Sequence, residues 1–528
     1  MVDQNRTAAV DLFIIGGGVN GCGIARDATG RGFSVTLAEM NDLASGTSSN
    51  STKLFHGGLR YLEYFEFGLV AKALKEREVL LNIMPHISWP MRFVIPLSKD
   101  MRFDSSTPTS RLLAGIFSWM KGRRPFWLIR LGLFLYDHLG GRKILKGTSA
   151  LDLTTSREGT VLFSRFHKAY EYSDCWIDDA RLVVLNARDA QMRGAQVLTH
   201  TKVLSARFDD GLWQIETETS AGERHTHFAR MIVNAAGPWV GDITASVIGR
   251  NAKLGVRLVR GSHIVTPKLY DHDKAYFFQG SDGRIIFAIP YETDFTLIGT
   301  TEAEHAAPND APQCSDEEAQ YLLDFANQYF KKPLSKEDIH WTYSGVRPLF
   351  NDGSGTASAA TRDYVLNIDD GAAGPLLNIY GGKITTYRQL AEDALDKIQI
   401  VLNRKTPSWT HKAALPGGDF RVNEAATLVT DLTKKYSFLS DTWATRLIRM
   451  YGTDAFNIFG TATTLDDLGV DFGATLSEAE VTWMMRHEFA RTAEDVVWRR
   501  SKLGLQLTPD QVTALDDWMA NAPKDLLK

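Results

Sequence analysis

The sequence predicts an α/β domain interrupted by an antiparallel β-rich insert and followed by an all-α domain. Three observations carry this. An apolar run, Val10 to Ile15, leads into three consecutive glycines and then a helical pattern. Short runs rich in β-branched and aromatic residues crowd 255–300. After Thr406-Pro407 the apolar residues recur with helical spacing. At roughly 150 residues per domain, 528 residues (58.8 kDa) allow two to four domains. Hydrophobic residues make up 44% and charged residues 23%, ordinary for a soluble globular chain and unlike a disordered or fibrous one. The net charge of -4 argues against a global attachment to nucleic acid. Cys22, Cys175 and Cys314 are odd in number and far apart. They exclude a disulfide framework, suit no zinc spacing and fit a reducing, cytoplasmic setting. The N-terminal apolar run is too short for a secretory signal. No stretch supplies the roughly 18 consecutive apolar residues of a membrane-spanning helix.

In chain order, residues 10–39 read strand, glycine turn, helix, strand, the second strand being Ser34-Val-Thr-Leu-Ala-Glu39. A Ser/Thr/Gly-rich loop covers 41–58. Residues 68–84 have helical periodicity, broken by Pro85 and Pro90. Residues 99–146 are basic and apolar together. A helix is expected over 178–193, short strands over 196–233, and a strand-to-turn junction at Asn234-Ala-Ala-Gly-Pro-Trp239. Ser315 with Glu318 forms a capping box for a helix to about Phe330. Residues 341–390 return to strand, turn and helix. Ser477 with Glu480, and Thr508-Pro509 with Gln511, mark two later helix starts. The expected division is 1–100, 175–245 and 345–403 for the discontinuous α/β domain, 101–174 for a basic connection, 246–344 for the β-rich domain and 404–528 for the helical domain.

Gly16-x-Gly18-x-x-Gly21 follows a strand and opens a helix. The first glycine permits the tight turn, the second lets backbone approach a pyrophosphate, and the third packs helix on strand. The helix N-terminus offers free N–H groups to phosphates. Glu39, 18 positions after Gly21, ends the next strand, where a carboxylate can hold ribose hydroxyls. The α/β domain is therefore Rossmann-like and binds an ADP moiety. The fingerprint does not separate NAD from FAD. Two further glycine-bearing strand ends, at Gly237 and at Gly381-Gly382, suit FAD held by widely separated segments.

At this point a family is recognisable. The sequence resembles the aerobic bacterial FAD-dependent glycerol-3-phosphate dehydrogenases, within the glycine-oxidase-like flavoprotein fold. The matching stretches include Ile15-Gly-Gly-Gly-Val-Asn-Gly21, Thr47-Ser-Ser49, Lys53-Leu-Phe-His-Gly-Gly-Leu-Arg-Tyr-Leu62, Tyr172-Ser-Asp-Cys-Trp176 and Gly261-Ser-His263. They continue through Tyr343-Ser-Gly-Val-Arg-Pro348, Thr361-Arg-Asp-Tyr364 and Gly381-Gly-Lys-Ile-Thr-Thr-Tyr-Arg388. His487-Glu-Phe-Ala-Arg491 and Trp498-Arg-Arg500 extend the match into the helical domain. Residues 99–122 depart from it by being longer. The resemblance implies oxidation of sn-glycerol 3-phosphate to dihydroxyacetone phosphate, hydride passing from C2 to flavin N5 and electrons onward to a membrane quinone. It also implies non-covalent FAD and a homodimer. Cofactor contacts would come from Gly16, Gly18, Gly21, Glu39, Thr47, Ser48, Ser49, Lys53, His56, Gly57, Gly58, Val203, Gly237 and Trp239. Substrate contacts would come from Arg60, Tyr61, His263, Arg347 and Lys383.

These residue types suit the chemistry. A phosphorylated alcohol needs several cations converging on one pocket. Arginine meets phosphate oxygens in pairs and lysine acts as a point charge. Lys383 precedes an expected helix start at 384–386, whose N-terminus favours the negative charge of reduced flavin; Gly382, Thr385 and Thr386 are cofactor candidates on that ground. Arg347, Lys383 and His263 are the catalytic candidates. Arginine keeps its proton, so Arg347 stabilises charge, and the base is left between His263 and His56. No metal is expected, because the HExxH pattern at His487-Glu488 fails with Arg491 in the second histidine's place.

Residues 99–146 hold ten Lys/Arg against three Asp, a local +7, interleaved with Trp119, Trp127, Phe126 and Phe134. That reads as an interfacial segment on anionic lipid, placing the protein peripherally on the inner face of the cytoplasmic membrane. No nucleic-acid module is present. Two alternatives remain: an oxidase that passes electrons to oxygen, and a flavin-binding regulatory module without turnover.

Overall fold

In the strand Val10–Ile15, Leu12 and Ile14 point to one face and Phe13 and Ile15 to the other, and all four are buried. A strand apolar on both faces belongs at the centre of a covered parallel sheet. The computed structural model, which describes residues 9–98, 101, 108–109, 125–251, 254–280, 283–351, 363–523 and 526, puts it there. It pairs in parallel with Val35–Ala38 on one side and Arg224–Asn234 on the other. The sheet continues in parallel to Gln196–Leu198 at one edge and Leu376–Tyr380 toward the other, which the antiparallel Val365–Asp369 closes.

Leu12, Ile14, Leu37, Val233 and Leu377 share one core with the helices Val19–Gly30, Asp179–Met192 and Tyr387–Val401. Phe13, Ile15 and Ile232 face a second core closed by Val203, Trp213 and Ile215 of the antiparallel strands Thr201–Asp209 and Leu212–Thr219. The expected helix over 178–193 is present, its N-cap Asp178 accepting from the Arg181 amide at 3.1 Å.

The second sheet has ten strands and departs from the expected division. Val256–Pro267 pairs with Trp341–Phe350 on one side and with Phe295–Gly299 on the other. The sheet then runs through Ile285–Tyr291 and Ala275–Gln279 to Ser88–Pro96 and Lys168–Ile177. So 88–96, expected in the α/β domain, and 168–177, expected largely in the connection, are strands of the β-rich layer. The sheet is also not wholly antiparallel, since Ala275–Gln279 and Ser88–Pro96 run in parallel. Joining segments so distant in sequence is a long-range event that local periodicity does not report.

The capping box at Ser315 and Glu318 is complete, but its helix ends at Ala326. Asn327 stops it by bonding both the N–H and the carbonyl of Leu334. The C-terminal region is helical, with one two-stranded hairpin of Asp471–Gly473 and Leu476–Ser477. Its helix Pro509–Ala520 has the complete Thr508/Gln511 box. Of the basic and apolar 99–146 region, 99–100, 102–107 and 110–124 lie outside the described residues, as do Thr361 and Arg362. The described part includes the helix Phe126–Leu139. No helix among the described residues is long and apolar enough to cross a membrane.

Gly21 is the tightest point of the glycine turn: a Cβ there would lie 2.0 Å from the Gly16 carbonyl oxygen. Gly21→Ala forces helix and strand apart. The overpacking costs about 1–3 kcal/mol and should lower the thermal midpoint by roughly 1–3 °C. Unchanged melting of the variant, followed by circular dichroism, would contradict this packing.

Candidate active site

Ile15, Asn234 and Asn378 lie in one row across three parallel strands; the first two end there and the third runs two residues further, to Tyr380. Each then turns on glycine. Gly16 (φ +110°), Gly237 (φ +55°), Gly381 (φ +74°) and Gly382 (φ +106°) hold backbone that other residues adopt only under strain. A Cβ on Gly16 would sit 2.7 Å from the Ala235 carbonyl oxygen. The turns open into a cavity of about 820 Å³.

On the Rossmann side, the cavity is lined by Gly16, Gly18, Glu39, Thr47, Ser48, Val203, Gly237 and Trp239. The Glu39 carboxylate accepts from the Gly17 amide at 2.7 Å and the Asn41 amide at 2.9 Å. Burial raises its pKa, and those amides oppose the rise. Ser48 Oγ accepts from the Val19 amide, the first of the helix (3.0 Å), and Thr47 Oγ1 donates to the Val346 carbonyl (2.6 Å). Trp239 Nε1 donates to Asn309 Oδ1 at 2.7 Å.

The same cavity takes in His56, Gly58, Arg60, Tyr61, Arg347, Gly382 and Lys383. Arg60 and Tyr61 lie on the turn Leu59–Tyr64. Gly58 is glycine because a Cβ would meet the Tyr61 ring at 2.3 Å. Lys383 Nζ donates to the His56 carbonyl at 2.6 Å and sits 5.4 Å from the Tyr61 ring centre. Arg347 donates to Thr300 Oγ1 at 3.1 Å and lies over Gly261, where a Cβ would be 2.5 Å from its guanidinium. Three cations from distant segments thus converge, with Phe277 and Phe287 of the second sheet completing the wall.

Seven of the expected contacts lie off the cavity wall. Gly21 serves helix packing. His263 is buried, with Nε2 2.9 Å from Thr52 Oγ1 and its ring stacked on Tyr343 at 4.6 Å. Thr52, not His263, lines the cavity. Burial, with Arg347 and Lys53 nearby, holds the His263 pKa well below its ordinary value, so the ring is neutral. Lys53 is buried and donates to both Asp179 oxygens, at 2.7 and 2.8 Å. Ser49 gives its carbonyl to Lys53. Gly57 packs beneath the wall, where a Cβ would meet Leu74 at 2.4 Å. Thr385 and Thr386 are buried behind Lys383; Thr385 donates to the His56 carbonyl at 3.4 Å and Thr386 to the Lys383 carbonyl at 3.3 Å. Thr52 stands between His263 and the cavity, and Asp179 claims Lys53, which spacing along the chain does not reveal. Thr52, Asn20 and Thr300 line the cavity without having been singled out. Thr52 carried a signal, its place in the Ser/Thr-rich loop.

Residues 11–388 match the family of FAD dependent oxidoreductases, and residues 408–524 match the C-terminal domain of alpha-glycerophosphate oxidase. The chain belongs to the FAD-dependent oxidoreductases. It is 48% identical to D-erythritol 1-phosphate dehydrogenase of Brucella abortus, over 97% of this chain and 98% of the relative. It is 44% identical to the aerobic glycerol-3-phosphate dehydrogenase of Escherichia coli, covering 96% and 97%. Among solved structures, a Bacillus halodurans glycerol-3-phosphate dehydrogenase complexed with FAD matches with a TM-score of 0.70 at 26% identity, covering 98% of this chain and 90% of that one. The residues of this flavoenzyme fit the cofactor. The glycine turns leave room where a Cβ would block close approach, a helix N-terminus faces the cavity, and the Glu39 carboxylate, which the sequence assigns to ribose hydroxyls, lines it too.

His263 and His86 report on this interior. Burial, with Arg181, Arg449 and Arg188 adding, pushes His86 down to about 3 from an ordinary 6.5. Well above pH 6.5 both rings are neutral in either state and contribute no pH dependence. Below it the unfolded chain takes up protons that the folded chain refuses, so stability falls as pH falls, by about 1.4 kcal/mol per proton per pH unit. Urea unfolding at pH 7.5 and 5.5 should show this loss, and His263→Asn should shrink it. An equal loss in the variant would mean that His263 titrates normally.

Proposed function

We propose that this flavoenzyme oxidises sn-glycerol 3-phosphate to dihydroxyacetone phosphate and hands the electrons to a membrane quinone. The observation that carries the reading is the convergence of Arg60, Arg347 and Lys383 on one cavity beside the glycine turns. A single cation 4 Å from a phosphate oxygen is worth roughly 4 kcal/mol at an effective dielectric near 20. Two or three are therefore needed to offset the desolvation of a dianion. Glycerol-3-phosphate dehydrogenases 44–45% identical over nearly the whole chain support the same substrate.

FAD supplies the hydride acceptor. The chain supplies the rest. Arg347 keeps its proton and stabilises the negative charge that develops on the C2 oxygen. Lys383 is aimed by its bond to the His56 carbonyl. Two imidazoles are placed to take up the alcohol proton: His56 at the wall, and neutral His263 through the Thr52 hydroxyl. Phe277 and Phe287 give the site an apolar wall.

A second reading concerns chain length. The relative at 48% identity is named for a four-carbon polyol phosphate. Its phosphate and hydroxyls pose the same demands, so the cation set serves both. Anaerobic mixing with glycerol 3-phosphate, D-erythritol 1-phosphate and glycerol decides. The phosphorylated substrate should bleach the visible flavin band and glycerol should not; the faster of the two phosphates names the substrate. Arg347→Met should lower kcat/KM by about a hundredfold or more, as expected for a lost charge-assisted contact. Bleaching by glycerol at a comparable rate would end the proposal, and rapid peroxide formation in air would favour the oxidase.

The quinone, an anionic membrane surface at the inner face of the cytoplasmic membrane and a homodimeric unit belong to this same proposal. The helix Phe126–Leu139 supports membrane contact. It exposes Phe126, Trp127, Leu131 and Phe134 beside Arg130, with Phe65 and Phe67 also exposed. Aromatic and aliphatic side chains with adjacent cations suit the lipid interface. The triple change Trp127→Ser, Leu131→Ser and Phe134→Ser should reduce sedimentation with phosphatidylglycerol vesicles while leaving reduction of a soluble dye intact. Full sedimentation of the variant would remove this helix from the membrane face.

A further inference from the structure

The two motifs of the helical domain, His487-Glu-Phe-Ala-Arg491 and Trp498-Arg-Arg500, contribute no residue to the cavity wall. Their side chains instead reach into the Rossmann domain. Arg500 is buried and grips the Asp42 carboxylate with two bonds of 2.7 Å, while Arg499 adds a third at 2.6 Å. Arg500 Nε also donates to the Glu488 carbonyl at 2.7 Å. The Glu488 carboxylate, itself fully buried, is held by both outer nitrogens of Arg181. Glu488 thus ties Arg500 to Arg181, one through its main chain and one through its side chain.

Each of these arginines leads to a loop of the cavity. Asp42 lies three residues after Glu39, in the stretch 39–47. Met40, Asn41, Ala44 and Ser45 of that stretch line the cavity, and the Ala44 amide donates to the Gly17 carbonyl at 3.2 Å. Arg181 sits in the first turn of the helix Asp179–Met192. Asp179, two residues before it, accepts from the Ser51 amide (3.0 Å) and hydroxyl (2.7 Å) as well as from Lys53. Ser51 and Thr52 line the cavity. Burial raises the Asp42 pKa, but Arg500 and Arg499 outweigh it and hold the carboxyl below its usual range. Asp42 and Asp495 come close to His200 in a pattern that could suggest a metal, but Arg499 and Arg500 already bond both carboxylates.

We propose that the C-terminal helical domain is part of the cofactor site: Arg499, Arg500 and Glu488 are positioning residues, the two arginines holding loop 39–47 against the ADP half of FAD and Glu488 steadying loop 49–53 at the substrate end of the cavity. None of them touches the cofactor position. Arg499 and Arg500 act through Asp42, and Glu488 acts through Arg181 and Asp179. The inference rests on the family's cofactor and not on the substrate, so it stands whether the alcohol has three or four carbons. It gives this domain a role in the chemistry of a site that it does not line.

The test uses full-length holoenzyme. Flavin release after dilution is followed by fluorescence, and unfolding by circular dichroism. Asp42→Asn and Arg500→Met should speed release about tenfold or more, as expected for a buried charge pair that loses one partner. Release should precede loss of helical signal on heating, whereas a merely structural role makes the two coincide. Arg500→Lys, which keeps the charge, should restore part of the retention. Added ADP should accelerate release less in the variants than in the parent, because the ADP position is what has loosened. If Asp42→Asn does not fold, Arg499→Met tests the same carboxylate from its more exposed side. Release within twofold of the parent, or release that coincides with unfolding, would overturn the proposal.

Discussion

The parallel register of three strands governs this molecule. Ile15, Asn234 and Asn378 are hydrogen-bonded neighbours in one row. Asn234 reinforces the row through its side chain, donating to Asn378 Oδ1 at 2.9 Å and to the Val240 carbonyl at 2.9 Å. A slip of one residue would turn every side chain to the opposite face and set Leu12 and Ile14 against the wrong core. With the register held, three glycine turns leave the same edge of the sheet, and the space beyond them is the cavity. Its backbone donors and the approach of Lys383 follow from that shared register.

Charge is distributed around that cavity in two ways. Arg60, Arg347 and Lys383 come to its wall, where a phosphate can use them. Other charged side chains are withdrawn into the interior and matched closely: Arg77 with Asp174, Arg26 with Asp189, Arg181 with Glu488 and Arg500 with Asp42. Buried ion pairs are poor sources of net stability, because desolvation offsets much of the attraction. Their geometry is demanding, however, and a pair left half-made is costly. They therefore suit the task of seating separate layers in one arrangement. Arg181 and Arg500 do this between the Rossmann domain and the helical domain.

The glycine fingerprint shows how far local reasoning reaches. Gly16, Gly18, Glu39 and Lys383 could be read as site residues because each depends on its neighbours in the chain: a turn, a helix start, a strand end. His263 has the same kind of motif around it, yet Thr52 stands between it and the cavity. Lys53 likewise looks like a ligand-binding cation, and Asp179 claims it. The failed zinc motif at His487-Glu488 is the reverse case. It meant nothing chemically by spacing, and in space it joins two domains.

The sequence by itself determined the Rossmann turn, the flavin family, the helical C-terminus and the set of cations available for a phosphate. Those properties rest on backbone conformation and periodicity within a few residues. Only the tertiary structure decided that Ser88–Pro96 and Lys168–Ile177 complete the second sheet, that seven expected contacts lie off the wall, and that Arg500 closes on Asp42. These depend on contacts between segments distant in the chain, as far as the 458 residues from Asp42 to Arg500, where one side chain placed in between changes what another can touch.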